Sequence, residues 1–286
     1  MIHVFGAILV DAIACRDAFT RGTSSIAPIR VGVGGVGYNI FRALGSTPRR
    51  LVTAMGDGPF SSHARPVLDS LSDEVLVRIM PGRDIGLYLA FMERGRLLCG
   101  ATDASTFEDA MDEAWLDHAL EAVGPNDVVV ADGNLPPASL AHLLGGVRER
   151  GACFVFETVS VDKSERARGV LRDVFLATPT EQELEALLGV AGPSTAQVAA
   201  WMGARSVEHL VVTLGCEGLR WFHGGRSESF APTRALDVAD TTGAGDTLLG
   251  ALLMGLHGGG SGQMPACLRR AMDAVERYLS ERSSTG

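Results

Sequence analysis

Asp240-Thr241-Thr242-Gly243-Ala244-Gly245-Asp246-Thr247 runs directly into the apolar stretch Leu248-Leu249-Gly250-Ala251-Leu252-Leu253-Met254. It reads as a glycine-rich turn that opens a buried helix. The small residues Gly243, Ala244 and Gly245 let backbone come close to a ligand, and the free N–H groups and dipole of the first helical turn favour an anion there. Asp246 puts a carboxylate beside that turn, where a base for a substrate hydroxyl would stand. Taken alone, the string also fits a plain helix start with Asp246 as its cap.

Working outward, the chain before this turn alternates short apolar runs with amphipathic segments from about residue 121. Val128-Val129-Val130-Ala131, Cys153-Phe154-Val155-Phe156, Val174-Phe175-Leu176-Ala177 and Leu210-Val211-Val212-Thr213 read as buried strands. Residues 137–148, 181–188 and 195–202 read as helices between them, which is the pattern of a parallel sheet with helical crossovers. Gly224-Gly225 marks a hairpin. The first hundred residues look different. His3-Val4-Phe5 opens a strand, residues 16–28 are irregular, and the glycine cluster Gly32-Val33-Gly34-Gly35-Val36-Gly37 precedes a helical spacing over residues 38–44. Residues 87–92 and 96–99, joined at Glu93-Arg94-Gly95, form an exposed hairpin. Together with residues 16–28 it is expected to make a small sheet outside the main one, and the polar tail 280–286 is expected to fray. Trp115 and Trp201 fall in helical patterns that suit core packing.

The bulk properties narrow the function. At 286 residues the chain is long enough for a sizeable core. A net charge of −9 argues against nucleic acid as the main partner, because such proteins concentrate Lys and Arg. Five scattered cysteines with no C-x-x-C spacing suggest neither a zinc site nor a disulfide framework, and fit a reducing cytoplasm. The opening residues do not read as a signal peptide, and no run approaches the roughly 18 apolar residues of a membrane helix. No H-E-x-x-H, G-x-S-x-G or G-x-x-x-x-G-K string occurs, which removes the simplest hydrolase and P-loop readings.

The string from Asp240 to Asp246 resembles the C-terminal signature D-T-x-G-A-G-D of the ribokinase-like (PfkB) carbohydrate kinases. Gly34-Gly35-Val36-Gly37-Tyr38-Asn39 resembles their N-terminal signature G-G-x-G-x-N, and lies at the matching place after Gly6 and Asp11. The resemblance implies one α/β domain, a three-layer α/β/α sandwich around a mostly parallel sheet, with a small β-sheet lid from residues 11–30 and 83–102. It implies ATP with Mg²⁺, leaves room for a monovalent cation such as K⁺, and makes a homodimer joined through the lid an expectation.

Carried over residue by residue, the resemblance makes Asp246 the base and Gly243, Ala244 and Gly245 the anion hole. Asp11, Gly34, Gly35 and Asn39 bind the substrate, and Asn134, just after a strand, joins them. Thr213, Gly215, Gly218 and Thr242 fall on the nucleotide side. Glu181 in Thr178-Pro179-Thr180-Glu181 matches a glutamate that meets magnesium through water, with Thr180 where asparagine is usual. Ala54-Met55-Gly56-Asp57 resembles a further family segment, although Asp57 also suits a surface turn. Glu157-Thr158 replaces Asp-Pro, and Asp84-Ile85-Gly86 lacks the usual hydroxyl residue. Gly-Gly-Val-Gly-Tyr-Asn-Ile (34–40), Val-Val-Val-Ala-Asp-Gly-Asn-Leu (128–135) and Val-Ser-Val-Asp-Lys (159–163) resemble a subgroup that phosphorylates the ribose 5-hydroxyl of pseudouridine. Lys163 itself reads as an ordinary surface lysine, with a contact to phosphate or substrate as the alternative. Resemblance fades beyond residue 256, at Gly258-Gly259-Gly260 and the charged helix near 269–282, and leaves the adenine side unassigned. Ribose, another nucleoside or a related sugar is the alternative substrate. A nucleoside-binding protein without catalysis is the alternative class.

Overall fold

The computed structural model describes residues 1–71, 74–234, 241–257 and 264–284. The strands are β1 (Ile2–Phe5), β2 (Leu9–Arg16), β3 (Ile29–Gly34), β4 (Arg49–Gly56), β5 (Val75–Met80), β6 (Gly86–Glu93), β7 (Arg96–Asp103), β8 (Val128–Asp132), β9 (Cys153–Glu157), β10 (Val174–Ala177), β11 (Val207–Thr213), β12 (Leu219–His223) and β13 (Arg226–Phe230). The helices are α1 (Val36–Ala43), α2 (Ser61–Asp69), α3 (Ser105–Ala110), α4 (Glu113–Leu120), α5 (Pro137–Glu149), α6 (Val161–Ala167), α7 (Glu181–Leu188), α8 (Thr195–Arg205), α9 (Ala244–His257) and α10 (Met264–Ser284).

Nine strands form one sheet in the order β13-β12-β11-β10-β9-β8-β1-β4-β5. From β5 across to β11 every pair is parallel, and only the β11–β12–β13 edge is antiparallel. Parallel strands need cover on both faces, and the composition supplies it. One apolar layer packs Phe107, Leu116, Leu140, Leu143, Leu187 and Val198 onto one side. The other packs Phe41, Leu44, Leu249, Leu252, Leu268 and Ala271 onto the opposite side. Trp115 on α4 and Trp201 on α8 sit half-buried against the first layer.

The run-by-run reading of residues 121–223 agrees with these elements. The first hundred residues are not a separate region, however: β1, β4 and β5 belong to the main sheet. The seam is close, because a Cβ on Gly37 at the start of α1 would lie 2.5 Å from the Gly6 backbone after β1. Of the tail expected to fray, residues 280–284 continue α10, and 285–286 lie outside the described residues.

The second sheet has the order β3-β2-β6-β7. Its β6–β7 hairpin turns at Arg94 and Gly95, both at positive φ, as a tight two-residue connection requires. The irregular stretch between Arg16 and Pro28 contributes no strand of its own. The strands that flank it, β2 and β3, do, so this small sheet begins at Leu9 and ends at Asp103. Register sorts its two faces. Gly32, Asp11, Tyr88 and Thr102 lie in one row across the four strands. The other face carries Ala12, Ala14, Ile29, Val31, Leu89 and Phe91, and of these Ile29 and Val31 are 67% and 54% exposed.

Candidate active site

Ligands of open α/β sheets collect beyond the carboxyl ends of the strands, where the strand order reverses. Here that point is β1, with β4 on one side and β8 on the other. Asp132 closes β8 there and is fully buried. Its carboxylate accepts from the amides of Ala7 (2.9 Å), Gly37 (3.1 Å) and Asn134 (3.0 Å) and from the Asn134 side chain (3.0 Å). It therefore pins the end of β1, the start of α1 and the turn after β8 to one point. Burial pushes its carboxyl above the usual range.

Asn134 is 1% exposed, and its Oδ1 accepts a hydrogen bond from the Lys163 ammonium. Lys163 is thus no ordinary surface lysine. Half-buried at the start of α6, it has its pKa lowered by desolvation, against the favourable charge of Asp132. Asn134 supports Lys163, and Lys163 is the outward group of this cluster. The local string 159–163 marks the position by resemblance, but its enclosure comes from Asn134, 29 residues away, and from Asp132 at the end of β8.

On the other side of α1, Asn39 donates from Nδ2 to Asp246 Oδ2 at 2.8 Å across 207 residues of sequence. This bond joins the two glycine-rich signatures in space. Asp246, in the first turn of α9, is 8% exposed, and burial raises its pKa to about 7. The Asn39 hydrogen bond works against that rise, while the charges of Asp132 and Asp11 add to it. Asp11 lies on β2 with its pKa raised to about 6 by desolvation. Gly34 faces it so closely that a Cβ there would fall 2.0 Å from Asp11 Oδ2. Gly35 is the N-cap of α1 at φ 98°. Asp11, Gly34, Gly35, Asn39 and Asp246 are therefore neighbours. Tyr88, which the sequence does not single out, shares the Asp11 row.

Beyond the Gly243 turn lies a cavity of about 580 Å³. Thr213, Gly215 and Gly218 line it together with Ala244 and Gly245 of the turn. Thr241 lines it in place of the expected Thr242, whose carbonyl accepts from Tyr278 (2.8 Å). One face of α10, formed by Met272, Val275, Glu276 and Leu279, completes the wall. The spacing i, i+3, i+4, i+7 is an ordinary apolar helix stripe and gives no sequence signal of a ligand. Asp240 and the Gly258–Gly260 loop lie outside the described residues.

Glu181 is exposed at the cavity edge. Glu183 points inward: it accepts from the Thr180 amide (2.8 Å) and from the Thr158 hydroxyl (2.7 Å), closing a capping box with Thr180. Thr180 thereby serves as N-cap, a place that asparagine fills equally well, so this departure leaves α7 intact. Glu157 is buried and bonded to the Thr178 hydroxyl, with its carboxyl raised well above the usual range by burial and then by Asp246 and Glu183. Asp57 accepts from the Gly82 amide (2.9 Å) and closes a surface turn. Asp84 accepts from the amides of Phe60 (2.9 Å) and Ser61 (2.8 Å), a structural task at the start of α2.

A buried carboxylate with its pKa near neutrality, in a glycine-rich turn that edges a nucleotide-sized cavity, fits a phosphotransferase that acts on an alcohol. The chain belongs to the pfkB family of carbohydrate kinases, whose match extends over residues 1–274. It is similar to the pseudouridine kinase of Escherichia coli, 26% identical over 88% of this chain and 82% of that protein. It is also similar to the 1-phosphofructokinase of Escherichia coli, 28% identical over 50% of this chain and 47% of that protein. Among solved structures, ribokinase from Giardia lamblia superposes with a TM-score of 0.78 at 18% identity, over 96% of this chain and 92% of that one. A nucleoside kinase from Burkholderia thailandensis in complex with inosine gives 0.73 at 21% identity, over 98% and 91%. The chain is a sugar or nucleoside kinase with a ribokinase-like fold, and membership of this family implies ATP as phosphoryl donor. Among the described residues no helix is long and apolar enough to cross a membrane.

Proposed function

We propose that the chain transfers the γ-phosphoryl group of ATP to the 5-hydroxyl of a ribose-type substrate, with pseudouridine the preferred acceptor. The observation that carries this is the Asn39–Asp246 hydrogen bond, which sets the base beside the residues matching the family's sugar-binding signature. Asp246 takes the hydroxyl proton as the substrate oxygen attacks phosphorus, and ADP leaves toward the cavity. The amides of Gly243 and Gly245 face the charge that develops on the transferred group, while the Ala244 amide, expected to join them, donates instead to the Thr241 carbonyl (3.0 Å). Asp11 and the Gly34–Gly35 amides hold the sugar hydroxyls, with the small sheet folding over them as a lid. Lys163, oriented by Asn134, presents a donor to the acceptor's far end. Its desolvated amine suits a neutral carbonyl, such as a pyrimidine base offers.

Among the described residues no three His, Cys, Asp or Glu side chains converge to hold a metal unaided. Glu181, at the cavity edge, would meet the water of a magnesium ion that arrives with the nucleotide. When bound, the ion neutralises phosphate charge. An ATP-coupled assay across pseudouridine, uridine, ribose and adenosine tests the reading, and pseudouridine should lead in kcat/KM. Turnover of ribose with none of pseudouridine would overturn the subgroup, and inertness toward all four would favour the binding-protein alternative.

The apolar outer face of the small sheet supports a homodimer. Ile29, Val31, Leu89 and Phe91 form an uncharged patch, and Arg94 and Arg96 with Asp17 and Glu93 supply both signs of charge at its rim, a self-complementary arrangement. Light scattering should show a dimer that Phe91→Glu converts to monomer. A wild-type monomer at assay concentration would remove this part of the proposal.

A further inference from the structure

The cavity wall and the anion-binding turn are tied together by one helix. On α10, Glu276 accepts from the Thr233 amide (2.7 Å) and hydroxyl (2.5 Å) with Arg234 Nε at 4.0 Å, while Met272, Val275 and Leu279 face the cavity. Two residues after Glu276, the Tyr278 hydroxyl donates to the Thr242 carbonyl at 2.8 Å. The same hydroxyl stands 2.6 Å from where a Cβ on Gly243 would lie, and Gly243 has φ 81°. The phenol therefore rests against the turn itself.

We infer that Tyr278 is a positioning residue that aims the Gly243 amide at the transferring phosphoryl group. The reasoning rests on the kinase reading above and on peptide planarity. The Thr242 carbonyl and the Gly243 N–H belong to one rigid plane and point in opposite directions. A hydrogen bond that fixes the carbonyl toward α10 turns the N–H away from α10, to the open side of the turn. Thr247 holds the Gly243 carbonyl from its amide (2.9 Å) and hydroxyl (2.8 Å), so the phenol acts on the peptide before Gly243, whose orientation turns on a φ that glycine leaves free to change. The neighbouring amides are set differently: Ala244 N donates to the Thr241 carbonyl (3.0 Å), and Gly245 and Asp246 are oriented by the helix they open. Gly243 is the donor in the turn that depends on a side chain from elsewhere. Because α10 also lines the nucleotide wall, a nucleotide packed on Val275 and Leu279 steadies the helix that holds the turn.

The test is Tyr278→Phe, which removes one oxygen. Losing a donor aimed at a transition-state oxyanion costs about 10²- to 10³-fold, and leaving it present but unaimed should cost about 10-fold in kcat. KM for ATP and for the acceptor should stay within about two-fold, since ground-state contacts are kept. The discriminating readout needs no acceptor: the affinity for ADP with and without aluminium fluoride, whose planar fluoride mimics the transferring group. Wild type should bind ADP more tightly with fluoride, and Tyr278→Phe should lose about ten-fold of that gain with ADP affinity itself unchanged. A full fluoride gain in Tyr278→Phe overturns the positioning role. Wild type showing no ADP binding at all overturns the kinase reading instead. Should the variant fail to fold, 3,5-difluorotyrosine at position 278 keeps ring and hydroxyl but ionises at lower pH. Its fluoride gain should fall as that hydroxyl loses its proton and return on acidification, and a pH-independent gain would refute the role.

Discussion

Asn39→Ala tests the electrostatics of the site most sharply. Asn39 donates to Asp246 Oδ2 at 2.8 Å and holds that carboxyl's pKa down against a burial that lifts it to about 7. A base with that pKa is roughly 1% ionised at pH 5 and about half ionised at pH 7, so kcat/KM should climb about ten-fold per pH unit on the acid side. A hydrogen bond to a charged group is worth about 1.5–3 kcal/mol, and the low end applies here because water can enter the space left by the side chain. At about 1.36 kcal/mol per unit, the acid limb should move up by about one pH unit. The assay is kcat/KM for the best acceptor from pH 5 to 9 at saturating MgATP. Asn39 also touches the acceptor in the proposed site, so KM will rise, but a lost contact lowers the whole profile without moving its midpoint. Asn39→Asp, which adds a second carboxylate, should move the limb further the same way. An acid limb that stays in place, or moves to lower pH, would show that Asp246 is not the titrating base or that Asn39 does not stabilise its charged form.

Asp246→Asn should lower kcat by at least about 10²-fold, and the acid limb should vanish with it. The same substitution has a stability signature. A carboxyl whose folded-state pKa is raised favours the fold below its ordinary value of 3.8, and that contribution is lost progressively as pH rises from there to about 7. Asp246→Asn should therefore raise Tm more near pH 8 than near pH 5, measured by thermal unfolding. A uniform loss of Tm at both pH values would mean a structural rather than an electrostatic role. Gly34→Ala places a methyl 2.0 Å from the Asp11 carboxylate. It should raise KM for the acceptor by about ten-fold or more while KM for ATP is unchanged, read by steady-state kinetics, because the cavity for the nucleotide lies across the turn. Equal effects on both substrates would place Asp11 elsewhere than in the acceptor pocket.

Much of the architecture is legible in the sequence because it is written locally. Buried parallel strands must be short apolar runs, and Val128–Ala131, Cys153–Phe156 and Leu210–Thr213 are; hairpin turns need residues that accept positive φ, and Gly95, Gly224 and Gly225 mark two of them. The glycine turn is equally local, since its glycines, its helix start and Asp246 fall within a few residues. β4 and β5 are harder to see: Arg49-Arg50 open the first, which is buried only through its place between β1 and β5, and Arg78 interrupts the second, a half-buried edge strand. Residues 16–28 lack a pattern because their work is to connect β2 to β3.

What the tertiary structure alone decided is which side chains meet and how dry they are when they do. Asn39 and Asp246 are 207 residues apart. The enclosure of Lys163 by Asn134, the inward turn of Glu183 rather than Glu181, and the grip of Tyr278 on Thr242 are set by packing between distant elements. Chain order carries local conformation, because φ, ψ and periodicity act over a few residues. Desolvation and Coulomb energy depend on distance through space and on who else is there, and so the chemistry of the site appears only once the chain has closed around it.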